Sequence, residues 1–158
     1  MTFEVVLGNP EAQQQRVTSP QGKEQPVPGK AAAVRVLVVD DEPSICKALT
    51  MALSRAGYDA ISALSGEQAI AIVRGERVDV LLVDLRIPDM RGDVFFELAS
   101  SHQPMLKYRT LFMTGDITEK AQKLIGACNC NFLRKPFDLR DMLDAVAALE
   151  PRVQDAVG

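Results

Sequence analysis

The chain has 158 residues, 47% of them hydrophobic and 25% charged, with a formal net charge of -3. That length suits one domain with a tail, the composition is that of an ordinary globular protein, and the slight negative balance gives no basic footprint for a nucleic-acid backbone. No stretch approaches a membrane span, and Phe3–Leu7, interrupted by Glu4, is too short for the apolar core of a signal peptide, so a cytoplasmic protein without membrane insertion is expected.

Residues 1–33 differ from the rest. Between Asn9 and Lys30 stand Pro10, Pro20, Pro26 and Pro28, the run Gln13-Gln14-Gln15, and almost no large apolar side chains. Such a segment cannot bury enough surface to offset its ordering entropy, so it reads as a flexible tail. Its Glu4, Glu11 and Glu24 balance Arg16, Lys23 and Lys30, so it is no basic arm. The three cysteines, Cys46, Cys128 and Cys130, fit free thiols in a reducing compartment better than a disulfide framework.

From Val34 onward, short apolar runs alternate with segments of helical period. The runs predict five strands, over Arg35–Asp40, Tyr58–Ala63, Val78–Asp84, Arg109–Thr114 and Asn131–Lys135. Val36–Val39 and Val80–Val83 are continuous rather than alternating, the pattern of strands buried on both faces. Pro43 opens a first helix, on which Ile45, Leu49 and Leu53 recur every fourth residue until Gly57. Ser65-Gly66-Glu67-Gln68 is a capping-box sequence for a second, with Ile70 and Val73 on one face and Gly75 past its end. A third helix is expected over 93–101 and a fourth over 118–125. A fifth is expected after Asp138 as N-cap, with Leu139, Leu143 and Val146 facing inward. Five strand–helix units in strict alternation predict an α/β fold, a doubly wound parallel sheet with helices on both faces, over 34–150; residues 151–158 make a short C-terminal tail.

In open parallel sheets, ligands bind outside the carboxyl ends of the strands. There stand Asp40-Asp41 after the first strand, Asp84 at the end of the third, Thr114 at the end of the fourth and Lys135 after the fifth. The acid pair alone fits either a solvated turn or a cation site, since hard cations such as Mg²⁺ are held by one or two carboxylates, waters and phosphate oxygens. Asp84 alone could cap a turn, Thr114 a helix, and Lys135 could be a solvated strand end. Their joint placement at four strand ends predicts a site. A carboxylate can attack phosphorus to give an aspartyl-phosphate, which needs a cation and hydrogen-bond donors for the charge on the phosphoryl oxygens. Asp84 is the nucleophile candidate, Asp40 and Asp41 the cation ligands, Lys135 the positive charge and Thr114 the hydroxyl donor.

The sequences VLVVDDEP, LLVDLRIPDMRG, LFMTGD and NFLRKPF, in that order, resemble the receiver domain of bacterial two-component response regulators across 34–149. The resemblance implies a flavodoxin-like five-stranded sheet of order 2-1-3-4-5, with Asp84 accepting a phosphoryl group from a partner histidine kinase or histidine phosphotransfer protein. It implies direct Mg²⁺ ligation by Asp41, Asp84 and the backbone carbonyl of Arg86, with Asp40 acting mostly through water. Thr114 and Lys135 would contact the phosphoryl oxygens, Thr114 and Phe132 would be the moving switch pair, and the Lys135–Pro136 bond would be cis. The side chain of Arg86, two residues past Asp84, would tune the lifetime of the phosphate. With no output domain expected after the receiver, the signal would pass to a downstream protein through the face of the fourth helix, fifth strand and fifth helix.

Three other readings follow from the residues. Cys128-Asn129-Cys130 has a spacing that suggests metal or redox chemistry, but only Cys46 and His102 could add ligands, so the thiols are read as small hydrophobes and His102 as solvated. A haloacid-dehalogenase-like phosphatase also pairs an Asp nucleophile with Thr, Lys and an acid pair. There the nucleophile comes first and is followed two residues later by a second Asp, where this chain has Arg86. A phosphorylation-independent interaction module is the remaining alternative, against which the intact acids, Thr114 and Lys135 speak.

Overall fold

A continuous run of branched apolar residues can be buried only if both faces of the sheet are covered, and that is what Val36–Val39 do. In a computed structural model that describes residues 33–115, 119–128 and 131–151, these four side chains have no exposure to solvent. The elements in chain order are β1 (Arg35–Val39), α1 (Pro43–Arg55), β2 (Asp59–Ala63), α2 (Gly66–Gly75), β3 (Val80–Asp84), α3 (Gly92–His102), β4 (Thr110–Thr114), α4 (Glu119–Cys128), β5 (Asn131–Arg134) and α5 (Leu139–Leu149). The strands form one parallel sheet of order β2-β1-β3-β4-β5, the predicted order. The tails expected at either end lie outside the described residues, Ala33 and Pro151 apart.

Alternation along the strands divides the core in two. Val36, Val38, Val80, Leu82, Leu111 and Met113 pack against Cys46, Leu49 and Leu53 of α1 and Met142 and Val146 of α5. On the other face Leu37, Val39, Leu81, Val83 and Phe112 pack against α2, α3 and Ala121 of α4. Each fully buried Val or Leu contributes on the order of 2 kcal/mol against exposure, so the central strands and the helix faces packed on them supply the stabilising area together.

The helix signals hold with local amendments. Pro43 starts α1, and Gly57 follows it with φ +99°, a left-handed conformation that glycine adopts at no steric cost. The Ser65 hydroxyl accepts the Gln68 N–H, but Gln68 Oε1 accepts from Leu64 N–H, so the reciprocal half of the capping box closes one residue earlier. Gly75 lies within α2 rather than past it, and α4 runs on to Cys128. Asp138 stands at the N-cap of α5 with no side-chain cap bond, and Leu139 is 45% exposed; Met142 takes the inward place expected of it, because the buried stripe begins one turn later. The sequence pattern did not reveal a 3₁₀ turn over Pro104–Tyr108, nor a two-stranded antiparallel ladder in the loop after β3, which pairs Arg86 with Arg91 and Ile87 with Met90.

Candidate functional site

The register of the sheet builds the site. Val39 of β1 lies opposite Val83 of β3, so the next residues, Asp40 and Asp84, come side by side at the carboxyl edge. One carboxylate oxygen from each of Asp40, Asp41 and Asp84 lies within 4.8 Å of the others. Asp40 is fully buried: its Oδ1 accepts the Glu42 N–H at 2.9 Å and its Oδ2 accepts from Lys135 Nζ at 3.1 Å. Asp84 repeats the arrangement, with Oδ1 accepting the Arg86 N–H at 2.9 Å and Oδ2 accepting from the same Nζ at 2.9 Å. Asp41 is exposed and opens the cluster to solvent.

Backbone ties hold each group. The Asp40 N–H donates to the Ala63 carbonyl of β2 at 3.2 Å, and the Cys46 thiol donates to the Asp40 carbonyl at 3.3 Å. The Lys135 N–H donates to the Thr114 carbonyl at 2.8 Å, which aligns the ends of β4 and β5, and the Lys135–Pro136 bond is cis.

The charges perturb one another. Burial raises the Asp84 carboxyl above its ordinary range, more than the Arg86 N–H and Lys135 lower it, and Asp40 adds to the rise. Burial opposes the charge on Lys135, yet its bonds to Asp84 and Asp40 outweigh that and raise the ammonium. Burial and the nearby Asp40 likewise push the Cys46 thiol up, so it is held as a neutral hydrogen-bond donor. Asp40 and Asp84 thus share one ammonium, and the Asp41 carboxylate lies beside them. A hard divalent cation suits the excess: metal–oxygen bonds of about 2.1 Å place its ligand oxygens up to about 4.2 Å apart, so the acidic cluster needs only slight closure to hold one. The donor set, all oxygen, fits such an ion.

The structure brings Asp40, Asp41, Asp84 and Lys135 together as the sequence predicts. Thr114 ends β4, 2% exposed, one residue beyond Met113, which lies level with Asp84. Arg86 binds Asp84 through its backbone N–H, and its side chain is exposed. Phe132 stands on β5 three residues before Lys135, 51% exposed and opposite Phe112 in the register. His102 is exposed at the end of α3, as expected. Cys128 closes α4, while Cys130 and Thr118 lie outside the described residues.

One residue that sequence reasoning passed over is Asp89. Its Oδ1 accepts the Gly66 N–H at 2.9 Å and its Oδ2 the Glu67 N–H at 2.8 Å, and these two bonds lower its pKa. The dipeptide Pro88-Asp89 is a legible turn signal, but its partners lie 23 and 22 positions away, beyond any local pattern.

Comparison with known proteins identifies the family and agrees with the fold. The family model of the response regulator receiver domain matches residues 36–147. The chain is 35% identical over 119 residues to the probable transcriptional regulatory protein TcrX of Mycobacterium tuberculosis, covering 73% of this chain and 49% of TcrX. It is 33% identical over 125 residues to the alkaline phosphatase synthesis transcriptional regulatory protein PhoP of Bacillus subtilis, covering 77% of this chain and 50% of PhoP. Among solved structures, the chemotaxis protein CheY4 of Vibrio cholerae superposes with a TM-score of 0.68 at 27% identity, covering 75% of this chain and 99% of that one. The chain spans about half the length of the curated relatives it matches.

Proposed function

The chain belongs to the response regulator receiver domain family, and from that premise we propose that it is a phosphoacceptor signalling switch whose acceptor is Asp84. The observation that carries the reading is the shared ammonium. Asp84 ends a fully buried strand, and Lys135 Nζ lies 2.9 Å from the carboxylate oxygen beside which a phosphoryl group would sit.

In the proposed reaction the ionised Asp84 carboxylate attacks the phosphorus of a phosphohistidine on a partner histidine kinase or phosphotransfer protein. An O–P bond forms, the N–P bond breaks, and the leaving imidazole nitrogen takes a proton from solvent. Lys135 directs its positive charge at the transferred oxygens and the Thr114 hydroxyl donates a hydrogen bond to one of them. Asp41, Asp84 and the Arg86 carbonyl would hold Mg²⁺ directly, with Asp40 acting through water; when bound, the ion neutralises the clustered negative charge. The domain is no classical enzyme: the reactions it assists are its own phosphorylation and dephosphorylation, the lifetime of the product being tuned by the Arg86 side chain.

The readout in this proposal is protein–protein contact. Thr114 moves toward the phosphoryl group, Phe132 changes its packing on β5, and the face of α4, β5 and α5 changes its affinity for a downstream protein. Residues 34–150 are the switching unit, flanked by tails over 1–33 and 151–158. No described helix is long and apolar enough to cross a membrane, and a cytoplasmic site of action, where kinase and target meet, is part of the proposal.

Intact-mass analysis tests it. After incubation with Mg²⁺ and acetyl phosphate, wild type should carry one phosphoryl adduct, Asp84→Ala none, and EDTA pretreatment should abolish the adduct. Absence of any adduct on wild type with any phosphodonor would overturn the proposal in favour of a phosphorylation-independent interaction module.

A further inference from the structure

The loop that follows Asp84 is a small lever with both ends tied. At its near end the Arg86 N–H donates to Asp84 Oδ1 at 2.9 Å. Arg86 and Ile87 then pair antiparallel with Arg91 and Met90, so the loop is a two-stranded ladder with Pro88 and Asp89 at its tip. The tip does not stand free: the Asp89 carboxylate takes the Gly66 and Glu67 N–H groups at 2.9 and 2.8 Å, two of the donors that the first turn of α2 leaves without helical partners. Met90 lies so close to the same turn that a Cβ built on Gly66 would sit 2.7 Å from its Cγ. On the return, a Cβ on Gly92 would meet Leu85 Cδ1 at 2.9 Å and the Leu85 carbonyl at 3.0 Å.

We propose that Asp89 is a positioning residue for the cation: by pinning the tip of the ladder to the start of α2, it fixes the backbone at Arg86 and hence the carbonyl that completes the cation's ligands. The inference rests on the proposed metal reading and adds a residue to it. The physical case is that a backbone carbonyl has no rotamers of its own, so only its segment can place it. The near end is held at Leu85, whose N–H donates to the Met113 carbonyl at 2.8 Å, and at the Arg86 N–H; the tie at Asp89 fixes the far end of the ladder as well. Asp89 never touches the ion, and its effect passes entirely through loop geometry, as with groups that orient ligands from behind.

Direct titration of Mg²⁺ by calorimetry, with no phosphodonor present, reads the effect on the full chain. Asp89→Ala should weaken Mg²⁺ binding about tenfold, the low end of the range for groups that orient metal ligands. Asp89→Asn keeps one acceptor oxygen and should fall between, which preserves the test if the alanine variant folds poorly. Ser65→Ala removes the other side-chain cap of the same helix, at Gln68 N–H, without touching the ladder, and should leave Mg²⁺ affinity at the wild-type value. Wild-type affinity in both Asp89 variants would overturn the inference while leaving the metal reading intact. Equal weakening by Ser65→Ala and Asp89→Ala would also overturn it, since the loss would then report the stability of α2. A wild type that binds no Mg²⁺ would sink the metal reading and this inference with it.

Discussion

The two ends of the sheet both gather charge, and they handle it differently. At the amino edge Arg35 is the hub: its backbone N–H donates to Asp79 at 2.8 Å, its Nε to Asp59 at 2.9 Å and its Nη1 to Glu76 at 2.9 Å. Arg77 adds a second guanidinium 3.3 Å from Asp79, and the Asp59 and Glu76 side chains are 42% and 43% exposed. There Asp59 and Glu76 keep contact with water, and Asp79, its side chain only 11% exposed, is matched by the Arg35 N–H and the Arg77 guanidinium. At the carboxyl edge the same sheet brings Asp40 and Asp84 against one ammonium with Asp41 close by, the Asp40 side chain fully buried and that of Asp84 13% exposed. A fold does not need that concentration to stand. Buried charge costs stability where it is poorly matched, so a concentration of this kind is the mark of a candidate functional site.

Breaking each end should separate them. Lys135→Ala leaves Asp40 and Asp84 side by side without their shared partner and should cost about 3 kcal/mol in urea denaturation, with part of the loss restored by millimolar Mg²⁺. Asp79→Ala strips the acceptor from the Arg35 N–H and should cost about 2 kcal/mol, with no recovery on adding Mg²⁺ and with normal phosphorylation by acetyl phosphate. Asp84→Asn should act in the opposite sense and raise the melting temperature by a few degrees, about 1 kcal/mol. The sign follows from the raised carboxyl: the native fold disfavours ionisation, so wild-type stability is fullest below the ordinary carboxylate range and declines as pH rises through the native value. The gain from asparagine should therefore grow over that window and vanish in acid, as melting curves against pH would reveal.

The smallest effect belongs to Tyr58, just before β2, whose hydroxyl donates to Glu150 at 2.7 Å. Burial, with that bond and charge, pushes its pKa from 10.0 to about 12. Its contribution is complete below the ordinary tyrosine value and is lost as pH rises through about 12. Absorbance titration of wild type against Tyr58→Phe should show the highest phenolic step missing from the variant, with little change in stability at neutral pH.

Much of this was legible because it rests on local rules. Continuous valine and leucine runs marked β1 and β3, Pro43 and Ser65 marked helix starts, and strand ends marked Asp40, Asp84, Thr114 and Lys135. What escaped depends on distant geometry. No periodicity reports that Asp89 reaches back to Gly66, or that one ammonium bridges Asp40 and Asp84. The exposure of Leu139 escaped for a related reason: helical spacing says which residues share a stripe, while the angle at which α5 meets the sheet decides where the stripe becomes buried.

The unequal burial of the strands also has a consequence for how the protein breathes. All five residues of β3 and of β4 are buried, whereas Asn131, Phe132 and Arg134 of β5 are exposed and Leu133 is only half-covered. Opening β5 uncovers little apolar area, so its amide protons should exchange with solvent through local excursions, while those of β1, β3 and β4 should wait for global unfolding. The carboxylates therefore sit on the rigid jaw of a vice and Lys135 follows the compliant one.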